Sequence, residues 1–191
     1  MLDNYINKLI QNRRSIYPAQ YNNEPVSKEF INVLLENANY APSHKLTEPW
    51  RFKVLQGEVK NKLGNFLSDT YTKITPEDRF SPFKHKKIKN NCNAASAIIV
   101  ICMQRDTKAR VPEWEEIAST AMAVQNMWLT CSANDIGCYW SSPELINYMG
   151  DFFNFEEEER CLGFFYIGNY DKEEITIPNR NPIEDKVQWI D

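Results

Sequence analysis

The segment from Glu113 to Ala133 admits few folds. Its Ile117, Ala118, Ala121, Met122, Ala123, Val124, Met127, Trp128, Leu129 and Cys131 leave little polar circumference on a helix. Such a helix has to be covered nearly all round, as a central core helix or at a subunit interface. The run Ala97-Ile98-Ile99-Val100-Ile101-Cys102 adds a second constraint, because a short continuous apolar stretch suits a central strand buried on both faces. At 191 residues, 42% of them hydrophobic and 25% charged, the chain reads as one domain over 1–191 that builds its core without staples.

The remaining elements arrange themselves around these two. Leu2, Tyr5, Ile6, Leu9 and Ile10 predict a helix over 2–13 with one buried face. A second helix, with Ser27 as N-cap, carries Phe30, Ile31, Leu34, Leu35 and Ala38 inward and ends near Tyr40, before Pro42. Arg51 to Leu55 alternate as a strand, and Val59 to Ile74 mark a third helix. Residues 75–93, with Pro76 and Pro82, read as a mobile loop or broken helix of the kind that covers a site. Gly137 to Pro143 read as a strand running into a turn, Leu145 to Met149 as a short helix, and Cys161 to Ile167 as another strand. The tail, 175–191, carries Val187, Trp189 and Ile190 without helical pattern, which fits an extended arm packing on a partner subunit.

Several function classes lose their footing. A net charge of −4 argues against nucleic acid as a partner, and the basic run Lys84 to Lys89 reads as a solvated face. Cys92, Cys102, Cys131, Cys138 and Cys161 have no zinc or dithiol spacing and read as buried free thiols in a reducing compartment. Without a signal-like N-terminus or a run of ~20 apolar residues, the expectation is a cytoplasmic protein with no membrane partner. Two histidines argue against a multi-histidine metal site, and neither a Gly-X-Gly-X-X-Gly nor a Walker loop is present. Chains of this kind that need a reactive centre usually borrow a cofactor.

Three short stretches could hold one. Arg13-Arg14-Ser15 offers two guanidinium forks and a hydroxyl to an anion, although arginines at a helix end also serve the helix dipole. Ala41 to Phe52, "APSHKLTEPWRF", places His44, Lys45 and Thr47 between two prolines, a rigid loop of donors or a capped turn packed by Trp50. Trp140-Ser141-Ser142 sets an aromatic platform beside hydroxyls, or a core tryptophan at a strand end.

In this order, together with "GFFYIGN" and the tail "NRNPIEDKVQWI", these stretches resemble the nitroreductase-like flavoproteins over essentially the whole chain. The small subgroup with His in the loop is the most similar. The resemblance implies an α+β fold with a mixed central sheet flanked by helices, and an intertwined homodimer with an exchanged C-terminal arm. It implies FMN in two interface clefts, NADH or NADPH as hydride donor, and a small-molecule electron acceptor. Arg13, Arg14 and Ser15 match the segment contacting the flavin phosphate, ribityl chain and pyrimidine edge. Tyr40, His44 and Thr47 match the segment given by the opposite subunit, Trp140, Ser141 and Ser142 the segment along the ring, and Arg180 a basic residue that reaches the phosphate. Leu46 and Glu48 stand where many relatives carry Asn and Gln, and Ser141 where close relatives often carry Arg. Reductive dehalogenation, flavin-consuming chemistry and a non-enzymatic flavin-binding module are the alternatives on the same fold.

Overall fold

The computed structural model describes residues 4–172 and 179–190. Four strands form one sheet in the order β1-β2-β4-β3: β1 (Trp50–Leu55), β2 (Ala97–Gln104), β3 (Gly137–Ser141) and β4 (Glu159–Gly168). Every neighbouring pair is antiparallel. The α+β class is as the resemblance implies, but the sheet among the described residues is antiparallel rather than mixed. Each strand here pairs with a neighbour that runs back along it, and no described strand adds a parallel edge.

The sheet is covered on both faces, which is why β2 is apolar throughout. On one face Ile99, Ile101, Phe165 and Ile167 pack against α2 (Lys28–Asn39) and α5 (Glu113–Ala133). On the other, Ile98, Val100, Phe164 and Tyr166 meet α3 (Glu58–Ile74) and α4 (Pro82–Ala94). The side chain of Trp140 lies across β4 at Gly163, where an added Cβ would come within 2.1 Å of the indole nitrogen. That close approach requires glycine, and a register shift sits beside it between Ile101 and Cys102.

Residues 75–93 are more ordered than the prolines suggest. A 3-10 turn at Glu77–Arg79 is followed by α4, in which Ser81 Oγ accepts the Lys84 amide proton and Pro82 occupies the first turn. Proline there starts a helix rather than breaking it, since its missing N–H would have had no partner. All five cysteines are free and buried.

Among the described residues, two helices leave apolar faces uncovered. α1 (Tyr5–Asn12) buries no residue, and Tyr5, Ile6 and Ile10 are exposed, where the spacing predicts a buried face. α5 buries Ala123, Val124, Met127 and Cys131 but exposes Trp114 and Met122. The arm from 175 falls partly outside the described residues; within them Val187, Trp189 and Ile190 are exposed. Among the described residues no helix is long and apolar enough to cross a membrane.

Candidate functional site

Arg13 ends α1, and the chain then runs beside the edge strand β3, where the Ile16 amide donates to the Cys138 carbonyl at 3.0 Å. The Arg13 guanidinium sits over the Trp128 ring at 4.6 Å, while the Trp128 indole N–H donates to the Arg14 carbonyl at 3.0 Å. Burial pushes the Arg13 guanidinium below its usual value, and the nearby charges of Arg180 and Arg14 push the same way. Among the described residues none of these three arginines pairs with a carboxylate. The cluster is thus a positively charged nook without a counter-ion, with Ser15 half-buried beside it.

Thr47 and His44 stand elsewhere. Their loop carries Lys45, Leu46 and Glu48 at φ of 54°, 54° and 42°, three non-glycine residues in the left-handed region. Such strain costs about 1–3 kcal/mol per residue and persists only where the surroundings hold it. Lys45 Nζ donates to the Arg110 carbonyl at 2.9 Å, Arg51 Nη1 to the Glu48 carbonyl at 2.9 Å, and His44 Nδ1 lies 2.6 Å from Glu115 Oε2. Trp50, 7% exposed, pins the C-terminal end of the loop to the core and donates from Nε1 to Asn39 Oδ1. Tyr40, the C-cap of α2, is 76% exposed.

Within one chain the two clusters do not meet. The His44 loop attaches to α5 at Glu115 and the arginines attach at Trp128. At the helical rise of about 1.5 Å per residue these points lie roughly 20 Å apart along the axis. One ring edge cannot touch both.

β3 divides the third segment between the faces of the sheet. Trp140 packs toward the α2–α5 side and donates from Nε1 to the Leu162 carbonyl at 3.3 Å. Ser141 instead lines a cavity of about 340 Å³ together with Tyr139, Tyr166, Phe83, Lys84 and Lys87. Ser142 is exposed just beyond. A separate cavity of about 230 Å³ lies on the other face, between Arg14, Trp128, Ser132 and Tyr170. Lys84 and Lys87 border the Ser141 cavity while remaining exposed, so the basic run of α4 is the solvated face that the sequence suggests. Trp128 and Glu115 were missed. The need of a half-buried indole N–H for an acceptor was the available signal for Trp128; nothing marked Glu115, whose partner is distant in sequence.

Among the described residues, the buried side-chain polar atoms without a hydrogen-bond partner are Arg13 Nη1, Arg14 Nε and Thr47 Oγ1. A buried group left so costs about 1–3 kcal/mol and calls for a partner. All three belong to residues singled out from the sequence as cofactor contacts, so the donor set fits an anionic, hydrogen-bonding group.

Residues 10–169 match the model of the nitroreductase family, and the chain belongs to that family. YfhC of Bacillus subtilis, provisionally named an NAD(P)H nitroreductase, is 29% identical over 181 residues, 93% of this chain and 90% of its own length. A nitroreductase-like family protein from Bacillus cereus superposes with a TM-score of 0.84 at 28% identity, over 100% of this chain and 98% of its own. The FMN-dependent nitroreductase NfnB of Mycobacterium smegmatis, solved in complex with NADPH, gives 0.77 at 15% identity over 97% and 98%, a likeness of fold.

Proposed function

We propose that the protein is an FMN-dependent oxidoreductase that takes hydride from NADH or NADPH and delivers it to a small organic acceptor such as a nitroaromatic, a quinone or a related electrophile. It acts as a homodimer of single-domain chains with a flavin in each of two interface clefts. The observation that carries this reading is the set of unpartnered buried atoms on Arg13, Arg14 and Thr47. Family membership and the NAD(P)H nitroreductase name of YfhC support the same chemistry.

Bound FMN supplies hydride exchange at its N5 atom, with donor and acceptor using one cleft in turn. Arg13 and Arg14 offer N–H groups to the phosphate or to the pyrimidine edge, where negative charge grows on reduction. Their fixed positive field is the preorganised kind that favours such charge without reorganisation. Arg180 and Ser15 complete the basic nook, and Trp140, which packs toward the same α2–α5 side, is the residue of the third segment best placed for the ring, since Ser141 faces the cavity on the other side of the sheet. Tyr40, His44 and Thr47 serve the partner's flavin, because the roughly 20 Å between their loop and the arginines is closed when two α5 helices cross antiparallel at a two-fold axis. The exposed apolar residues of α1 and α5 and the arm from 175 support that interface.

The purified protein is expected to be yellow, with about one non-covalent FMN per chain, and stopped-flow mixing with NADH or NADPH is expected to bleach it rapidly. A colourless protein that fails to take up micromolar FMN contradicts the reading, and a yellow protein that neither nucleotide bleaches leaves only a flavin-binding module.

A further inference from the structure

His44 has two ring nitrogens, and the structure commits one of them. Nδ1 lies 2.6 Å from Glu115 Oε2, with the His44 side chain 57% exposed and that of Glu115 23% exposed. A carboxylate only accepts, so Nδ1 carries the proton of this bond. Nε2 then stands without a partner among the described residues. In the neutral ring it holds a lone pair, so the free face of His44 accepts a hydrogen bond.

The surroundings make this orientation specific. The loop is held in a strained form by contacts that converge on the start of α5 and the turn before it. Lys45 reaches the Arg110 carbonyl, and Arg110 is gripped by Asp106 from Nε at 2.8 Å and Nη2 at 2.9 Å. Glu116, next to Glu115 and buried, accepts the Asp106 amide proton at 2.8 Å and pairs with Arg105. Glu115 therefore projects from a braced helix start.

We propose that Glu115 is a positioning residue that fixes His44 as the Nδ1–H tautomer, so that Nε2 accepts a hydrogen bond from a ligand N–H such as the flavin pyrimidine edge offers. This rests on the reading of His44 as a cofactor contact and reverses the role of donor that its loop position alone suggests. A carboxylate bonded to one ring nitrogen in this way sets which imidazole nitrogen is available to a ligand.

The test begins on apoprotein labelled with 15N-histidine, with the His85→Ala variant assigning the only other histidine. At pH about 9, well above the ordinary imidazole value near 6.5, wild type should show a protonated Nδ1 and a bare Nε2. Glu115→Gln, whose amide oxygen still accepts, should keep that tautomer, and Glu115→Ala should lose the preference. FMN binding to the same proteins should weaken about tenfold in Glu115→Ala and in His44→Ala, the equivalent of one hydrogen bond. The double variant should be no weaker than either, and Glu115→Gln should stay near wild type. An Nε2–H tautomer in wild type, full affinity in Glu115→Ala or independent effects in the double variant would overturn the proposal. The wrong tautomer in a protein that binds FMN removes only the role of Glu115. The expected tautomer in a protein that binds no FMN overturns the cofactor reading and, with it, the ligand assigned to Nε2.

Discussion

Thr47 is an informative single residue because its hydroxyl oxygen is buried with no hydrogen-bond partner among the described residues. In the apoprotein this atom is a liability, and on the proposed reading the bound flavin would give it a partner. Replacing it with valine, of nearly the same shape, removes the liability, so Thr47→Val apoprotein should be as stable as wild type or up to about 1 kcal/mol more stable. FMN affinity should fall by about 1 kcal/mol in the same variant. Thermal melts of the apoprotein together with flavin titration check both signs. A variant that loses stability while binding FMN normally would make Thr47 a packing residue. His44 and Thr47 could be picked out of "APSHKLTEPWRF" because that loop holds more donors than a turn needs. Their separation from Arg13 within the chain could not, since it depends on where along α5 each attaches.

Among the elements, α5 was the most legible. Its ends match the apolar run, and its pattern resolves into one face buried in the core and another that leaves Trp114 and Met122 exposed. α4 was the least legible, because Pro76 and Pro82 read as breakers, whereas Pro82 starts the helix and one side of it packs on the sheet; its lysines are exposed, as the sequence suggests. That packing also buries Cys92 of α4, whose thiol is pushed up to about 11 by burial, with a contact to the Tyr166 hydroxyl pulling the other way. Burial also holds the Tyr166 phenol well above its usual range. These acids stay neutral in the folded state after their unfolded counterparts have ionised. The unfolded chain therefore binds fewer protons, and stability falls as pH rises from about 8.5 to about 11. Cys92 alone accounts for a loss on the order of 2–3 kcal/mol across that window. Urea titrations at intervals of pH check this, and Cys92→Ala, though less stable at neutral pH, should show a shallower alkaline decline.

For the molecule as a whole, Tyr5, Ile6, Ile10, Met122, Trp189 and Ile190 are exposed without cover among the described residues, and the proposed dimer would bury them. Burying large side chains such as Trp189 and Ile190 is worth about 1.5–3 kcal/mol each. Deleting 175–191 should weaken dimerisation and lower flavin retention together, as sedimentation and absorbance of the truncated protein would register; a truncated dimer at full flavin occupancy would make the arm incidental. The central claim is that each flavin site joins Arg13 of one chain to His44 of the other, and mixed dimers test it most directly. One subunit carries His44→Ala and the other Arg13→Ala, under distinct affinity tags, and the bound FMN is counted. If the sites are shared, both substitutions fall in one cleft, the other is untouched, and about half the flavin of wild type remains. If each chain builds its own site, both clefts are damaged, and little flavin would remain.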